Sequence, residues 1–333
     1  MPVTTGAAYE NCRLCGRNCG ADRTAGELGF CGAASRLRIA WAGLHYGEEP
    51  VISGRGGSGT VFVSSCGLRC FFCQNHQLSL SGMGGDCQPD QFADICLTLQ
   101  SHGAENINIV TGTHFIPSLG EGIKNARKKG LRLPVVWNSS GYETLAGISL
   151  LDEFVDVYLP DLKVASPTLA RGIFGDSSYP NVAKEAILAM AASRPLRYTD
   201  DSREILASGL IVRHLVLPGC LENTREALAW FARFLAGKAL LSVMFQYTPP
   251  TRKDAASIPT GEWTRIVTPD EYEEVLGLLE ELGIEDGFVQ EAPAEVDCLP
   301  DFSLRDAFPT NIAKALWFWG DSPGGAGSSR AAE

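Results

Sequence analysis

The sequence predicts an α/β protein, a full or partial (β/α) barrel preceded by a small cysteine-rich module. Two patterns favour this fold class. From about residue 36 onward, short apolar runs alternate with helical patterns, which is typical of a parallel sheet with helices packed outside it. Residues 1–35 are instead rich in cysteine, glycine and arginine, and they show neither a strand period nor a helix period.

The order of the elements supports the same fold. About seven strand–helix units follow one another along the chain. In barrels of this kind the chemistry takes place at the carboxyl ends of the strands, so polar residues at those ends are candidates for a site. Strands are predicted at 36–45, 60–64, 106–110, 133–138, 155–159, 210–217, 240–246 and 287–290, and helices at 89–102, 119–129, 142–153, 180–193, 223–236 and 269–282.

The net charge excludes some classes of partner. The 333 residues include 28 basic and 39 acidic ones, which gives a formal net charge of −11. A general binder of nucleic acids or of anionic membranes would show a basic face instead. No apolar run approaches the roughly 18 residues that a membrane span needs, and residues 1–11 lack the regions of a signal peptide. The sequence therefore predicts a cytoplasmic protein with neither a nucleic-acid nor a membrane partner.

The cysteines are clustered. Of the eleven cysteines, four lie between residues 12 and 31 and three between residues 66 and 73. Clustered cysteines in a reducing compartment indicate metal binding rather than disulfides. The remaining four are scattered and are expected to be small buried side chains. They are Cys87, Cys96, Cys220 and Cys298.

The second cluster has the spacing of a reactive metal centre. Cys66, Cys70 and Cys73 form a C-x3-C-x2-C run directly after the predicted strand at 60–64. Three thiolates on one loop can converge on a single centre, and thiolate is the usual ligand of iron–sulfur clusters. Zinc is the alternative, although a structural zinc site takes four ligands. A metal centre with three protein ligands keeps one coordination position open, where a reactant can bind.

The run CGLRCFFCQN, at residues 66–75, resembles the radical S-adenosylmethionine (SAM) enzymes. Within that superfamily it is most similar to the pyruvate formate-lyase-activating enzymes. The resemblance covers roughly residues 36–300 and implies a partial (β/α) barrel of the radical SAM type. Its weaker segments are GEEPVISGRGGSGTVF, NIVTGTHFIP, VVWNSSGYE, VYLPDLK, LIVRHLVLPG and FQYTPP.

The resemblance implies a specific chemistry. Cys66, Cys70 and Cys73 would ligate a [4Fe–4S] cluster, with SAM on the fourth iron. A one-electron reductant such as flavodoxin or ferredoxin would drive cleavage of SAM to methionine and a 5′-deoxyadenosyl radical. That radical would abstract hydrogen from a substrate, for example a glycine of a partner enzyme, which makes the protein an oxidoreductase. A small-molecule substrate and another kind of protein substrate both stay open.

The same resemblance implies contacts to SAM from residues near the strand ends. Asp161 and Lys163 lie on the same side of their strand because side chains alternate along it. Arg213 lies in an apolar run and needs a partner there, either SAM or a buried carboxylate. His114 is either a substrate-side group or a structural histidine. The implied SAM contacts are Phe72, Thr111, Gly112, Thr113, Asn138, Ser140, Asp161, Lys163, Arg213 and Tyr247.

The N-terminal cysteines predict a second metal site. Cys12, Cys15, Cys19 and Cys31 follow the pattern C-x2-C-x3-C-x11-C. Four thiolates fit a tetrahedral site, and both zinc and iron–sulfur stay open. In relatives with extra cysteine motifs the insertion follows the first cluster motif, whereas here the module precedes it.

Two further expectations follow for the whole chain. The predicted domains are a metal-binding module at 1–35, a radical SAM partial barrel at 36–300, and a C-terminal extension at 301–333 with a disordered tail. A non-enzymatic scaffold that holds zinc for partner recruitment is the alternative to an enzyme.

Overall fold

The computed structural model describes residues 6–202, 204–250, 261–291, 299–308 and 312–321. Within these ranges, no helix is both long and apolar enough to cross a membrane. The strands are β1 (Arg38–His45), β2 (Ser58–Val63), β3 (Gly85–Asp86), β4 (Ile107–Val110), β5 (Val135–Ser139), β6 (Val157–Pro160), β7 (Arg197–Tyr198), β8 (Leu206–Leu215), β9 (Leu240–Met244), β10 (Gly287–Val289) and β11 (Ala313–Phe318).

Ten α-helices accompany these strands in the described part of the chain. The longer ones connect successive strands and pack on the outer face of the sheet. The helices are α1 (Ala7–Glu10), α2 (Pro50–Ser53), α3 (His76–Ser79), α4 (Pro89–Ser101), α5 (Ile116–Lys128), α6 (Leu145–Leu151), α7 (Pro167–Phe174), α8 (Tyr179–Ser193), α9 (Leu221–Leu235) and α10 (Pro269–Glu281).

The strands form one open, mostly parallel sheet in the order β10-β9-β8-β6-β5-β4-β2-β1-β11. From β2 to β10 every neighbouring pair on this path is parallel. The predicted α/β fold class, with an open partial-barrel sheet, is confirmed. Strands β4 and β6 are buried along their whole length, because helices cover one face and the interior of the sheet covers the other.

The C-terminal segment joins the sheet on its antiparallel side. Strand β1 runs antiparallel to both β2 and β11. The ring of Phe62 on β2 lies 5.0 Å from that of Phe302 and 5.5 Å from that of Phe308. Part of the predicted extension at 301–333 is therefore packed against the barrel, while the predicted tail at 322–333 and Cys298 lie outside the described residues.

The N-terminal module, residues 6–35 as described, packs against the barrel. Gly16 donates its backbone N–H to the carbonyl of Tyr142 at 2.9 Å. A Cβ atom at Gly16 would lie 2.4 Å from the ring of Tyr142, so this contact requires glycine. Cys15 also forms an isolated β-bridge with Glu143. The module is thereby fixed beside the carboxyl ends of the central strands.

Candidate functional site

A cavity of about 860 Å³ opens at the carboxyl ends of the parallel strands. Cysteine, charged and aromatic side chains from separate strand ends line it together. This is the position at which sheets of this kind place their ligands. Among the residues expected to contact SAM, those that line it are Phe72, Thr111, Asn138, Ser140, Asp161, Lys163, Arg213 and Tyr247.

The cysteine loop, residues 66–73, follows β2 and brings all three of its thiols to the cavity. Cys66 and Cys70 are buried and Cys73 is half-buried. Ser65 and Arg69 have φ angles of 74° and 56°, in the left-handed region that non-glycine residues avoid. Such backbone costs roughly 1–3 kcal/mol per residue and tends to be retained at functional sites.

Burial favours the protonated form of two thiols of the cysteine loop, those of Cys70 and Cys73. Burial raises the pKa of Cys70 well above its usual value, Lys163 opposes the rise, and the neighbouring thiols of Cys73 and Cys66 add to it. Burial likewise raises the pKa of Cys73. Across the described ranges, no three His, Cys, Asp or Glu side chains stand in a group ready to hold a metal ion. Metal binding would therefore displace protons and turn these side chains toward one centre.

A charged network faces the thiols across the cavity. The carboxylate of Asp161 accepts hydrogen bonds from Nζ of Lys163 and from Nε of Arg213, the latter at 2.8 Å. Arg213 also donates to Oδ1 of Asn138. Burial alone would raise the pKa of Asp161, but Arg213 and Lys163 hold it below its usual range. The buried carboxylate that Arg213 required is thus Asp161, and both cations remain on the cavity wall.

Two glutamates that line the cavity, the mostly buried Glu48 and the buried Glu49, were missed by the sequence reasoning. Glu48 lies 3.5 Å from Nη1 of Arg213 and accepts a hydrogen bond of 3.0 Å from Asn108. Glu49 is 8% exposed, and one of its carboxylate oxygens has no partner among the described residues. Burial raises the pKa of both glutamates, and Arg213 opposes the rise. The adjacent acids directly after a predicted strand were the signal that could have found them.

Aromatic rings form another wall of the site. Phe72 lies 5.7 Å from Tyr247, centroid to centroid. It also stacks parallel to Trp263, with centroids 6.3 Å apart and planes 6° from parallel. The hydroxyl of Tyr247 donates to the carbonyl of Trp263 at 2.9 Å. Trp263 was not predicted from sequence, because it lies outside any predicted strand end.

The residues after β4 divide between the cavity and the core. Thr111 lines the cavity, whereas Gly112 and Thr113 are outside its lining. A Cβ at Gly112 would lie 2.7 Å from Leu119 and from Trp137, so Gly112 is a packing position. The hydroxyl of Thr113 donates to Glu143 at 2.7 Å.

His114 occupies a structural position. Its side chain is 2% exposed, and Nε2 donates to the carbonyl of Ser64 at 2.7 Å. Burial lowers the pKa of His114 to about 3, with a smaller contribution from Arg23. A neutral imidazole outside the cavity lining fits the structural alternative rather than a substrate-side group.

The N-terminal thiols lie in the module that packs against the cysteine loop. Cys12 and Cys31 are buried, Cys15 is half-buried and Cys19 is exposed. Burial raises the pKa of Cys15 to about 12. A Cβ built on Gly67, inside the cysteine loop, would lie 3.2 Å from Sγ of Cys15. The side chain of Cys15 therefore packs against the backbone of the cysteine loop at Gly67.

Comparisons with known proteins give the following matches. No protein-family model matches the chain. An uncharacterized protein of Methanocaldococcus jannaschii is 29% identical over 287 residues, which cover 83% of this chain and 76% of that protein.

Solved structures match at low sequence identity. Streptococcus suis SuiB bound to S-adenosylmethionine is 11% identical with a TM-score of 0.48, over 68% of this chain and 48% of that one. A radical SAM methyltransferase from Sphaerobacter thermophilus is 13% identical with a TM-score of 0.42, over 72% and 68%. The chain spans about half the length of SuiB. Likeness at this level assigns no activity, so function is argued from the site.

Proposed function

We propose that this protein is a radical SAM enzyme, in which Cys66, Cys70 and Cys73 hold a [4Fe–4S] cluster and the adjoining cavity binds SAM. One observation carries the proposal: the three thiols and the network of Asp161, Lys163 and Arg213 line the same cavity at the carboxyl ends of one parallel sheet.

The side chains that line the cavity suit both the [4Fe–4S] cluster and SAM. Three thiols supply soft ligands and leave one iron free for SAM. The SAM molecule carries a carboxylate, an ammonium and a sulfonium group. Lys163 and Arg213 offer the carboxylate two cations, and Asp161 with Glu48 offers negative charge to the cationic groups. A cluster held by these thiols would, once reduced, supply an electron for cleavage of SAM to methionine and a 5′-deoxyadenosyl radical, and that radical would abstract hydrogen from the substrate.

The chain itself binds, orients and shields the reactants. The rings of Phe72 and Tyr247, which meet edge to face, provide an apolar wall on which adenine would pack. The ion pair between Arg213 and Asp161 fixes the charged wall before the ligand arrives. Burial of these side chains excludes water from the site, which protects a radical from side reactions.

Within the superfamily, an activating-enzyme-like role is the proposal that the motif CGLRCFFCQN supports. In that role the hydrogen would come from a glycine of a partner enzyme, and flavodoxin or ferredoxin would supply the electron. A glycyl-radical enzyme encoded beside this protein would be the substrate to test. Mixing the two with SAM and reductant would produce a radical on the partner protein, seen by electron paramagnetic resonance.

The enzyme itself is tested by anaerobic reconstitution with iron and sulfide. The expected results are a reduced-cluster resonance signal that SAM alters, and release of methionine and 5′-deoxyadenosine after reduction. Cys70→Ala should lose both, while Cys220→Ala, which removes a thiol outside the cavity, should keep both. Zinc in place of iron, with no SAM cleavage, would instead establish the scaffold alternative.

A further inference from the structure

Arg23 is a buried cation without a carboxylate partner in the described part of the chain. Its side chain is 0% exposed. The guanidinium donates to three backbone carbonyls, those of Ala33 at 3.0 Å, of Ala34 at 2.7 Å and of His114. Arginine stays protonated in proteins, and a buried charge requires an opposite charge near it. The carbonyl dipoles stabilise Arg23 but do not neutralise it.

The neighbours that can supply negative charge are sulfur atoms. Nη1 of Arg23 lies 3.6 Å from Sγ of Cys12. A Cβ built on Gly29 would lie 3.3 Å from Sγ of Cys31, 3.5 Å from Sγ of Cys19 and 3.6 Å from Cδ of Arg23. Thiols of three of the four N-terminal cysteines thus lie near this one side chain, although they are not yet grouped around one point. Metal binding would turn them toward a common centre. A neutral thiol leaves Arg23 unbalanced, whereas a thiolate balances it.

We propose that Cys12, Cys15, Cys19 and Cys31 bind one zinc ion as thiolates, and that Arg23 is the buried countercharge of this site. A divalent ion with four thiolates carries excess negative charge, and an adjacent guanidinium offsets part of it. A closed set of four thiolates is typical of structural zinc. An iron–sulfur cluster is the competing occupant of four thiolates, and the iron content with and without Cys19 distinguishes it from zinc.

The site has a consequence for the cysteine loop. Arg17 lies between two of these cysteines, and its side chain is 8% exposed. It donates to the carbonyls of Gly67 at 2.9 Å, of Leu68 at 3.2 Å and of Phe174 at 2.7 Å. Gly67 and Leu68 lie between the first two cysteines of the cysteine loop. Zinc therefore fixes the segment whose guanidinium holds that loop, and Arg17 is a positioning residue.

Metal content tests the site itself. Zinc and iron per chain are measured by mass spectrometry on protein purified without chelators. One zinc per chain is expected in the wild type and in Cys70→Ala, which separates this site from the proposed catalytic cluster. Cys19→Ser changes an exposed side chain and should lose the zinc, whereas the control Cys220→Ser should keep it. Zinc that persists in Cys19→Ser, or iron that is lost with Cys19, would overturn the assignment.

The role of Arg23 is tested by competition with a chromogenic chelator. Arg23→Met should lower zinc affinity at least tenfold, and Arg23→Lys should lower it less because the charge is kept. Circular dichroism establishes that each variant is folded. If Arg23→Met does not fold, Arg23→Gln, which removes the charge but keeps an N–H donor, is measured in its place. A wild-type zinc affinity in a folded variant without the charge would overturn the countercharge.

The coupling to the cysteine loop is measured by hydrogen–deuterium exchange in Cys70→Ala, which lacks the catalytic cluster. Removal of zinc should speed amide exchange in the peptide that covers residues 66–73. Arg17→Ala with zinc bound should reproduce that increase. An exchange rate in this peptide that neither change alters would overturn the positioning role of Arg17 while leaving the proposed enzyme untouched.

Discussion

Asp161 and Arg213 form a buried ion pair across adjacent parallel strands, with 2.8 Å between Oδ1 and Nε. Residue 161 follows β6 and residue 213 lies in β8, and the two are also bridged through their backbones. This pair joins neighbouring strands at the edge where the cavity opens. It therefore serves both the stability of the sheet and the charge of the site.

Asp161→Asn should destabilise the protein and weaken SAM binding. Removing the carboxylate leaves the cations of Arg213 and Lys163 buried without their partner, which costs about 3 kcal/mol in the free energy of unfolding. Urea unfolding measures this change, and calorimetry on the reconstituted enzyme measures SAM affinity. Asp94→Asn is the control, because its ion pair with Lys129 is exposed and is worth less than about 1 kcal/mol. Equal effects of the two substitutions would contradict the prediction.

Glu49→Gln should change the pH dependence of stability. Burial raises the folded-state pKa of Glu49 above its unfolded value. The folded state therefore binds more protons, and stability falls as pH rises from about 4.3 through the raised pKa. The variant should lose this part of the slope and be about 1 kcal/mol more stable at pH 8. Urea unfolding from pH 5 to 8 measures the slope, with the exposed Glu226→Gln as control. A variant that follows the wild-type curve would refute the role of Glu49.

Phe72→Leu should weaken SAM binding without loss of iron. The substitution removes the ring that stacks on Trp263 and faces Tyr247. Loss of an aromatic contact costs about 1 kcal/mol, or roughly fivefold in the Kd of SAM. Calorimetry and iron analysis on the same preparation separate the two effects. Phe234→Leu, on the outer face of α9, is expected to leave both unchanged. An unaltered Kd in Phe72→Leu would place the adenine elsewhere.

Gly16→Ala should loosen the N-terminal module. The added methyl group would lie 2.4 Å from the ring of Tyr142, and such overpacking costs about 1–3 kcal/mol. Gly172→Ala is the matched control, since nothing lies within 4 Å of its Cβ position in α7 and alanine favours a helix by roughly 0.5–1 kcal/mol. Thermal unfolding should show opposite shifts for the two variants. A Tm that rises in both would contradict the close approach at Gly16.

The hydrophobic pattern of the sequence predicted the parallel strands and most of the long helices, because burial on both faces produces short apolar runs. The ends of the strands could also be predicted from the sequence, and Asp161, Lys163 and Arg213 were therefore expected at one site. In the structure all three line one cavity. The positions of strands, helices and strand ends can be predicted from local patterns because they do not depend on contacts between distant residues.

Contacts between distant parts of the chain were beyond the reach of local patterns. The pairing of β11 with β1 depends on an edge that exists only after the sheet has formed. Glu48 meets Arg213 only because the chain after β1 turns into the sheet interior. The burial of Arg23 likewise depends on the barrel that covers the module. The direction of a single side chain after a strand is likewise set by packing rather than by residue type. The hydroxyl of Thr113, for example, donates to Glu143 instead of facing the cavity.

The far edge of the sheet has a consequence for how the molecule behaves in a crowded solution. Strand β10 is three residues long and pairs along one side with β9. A long exposed edge is a template on which another chain can add a strand, whereas a short one offers few free backbone groups. An open barrel normally risks such association along its gap. Because β10 has three residues, it offers few backbone groups for such pairing at this edge, while the cavity stays open to its ligands.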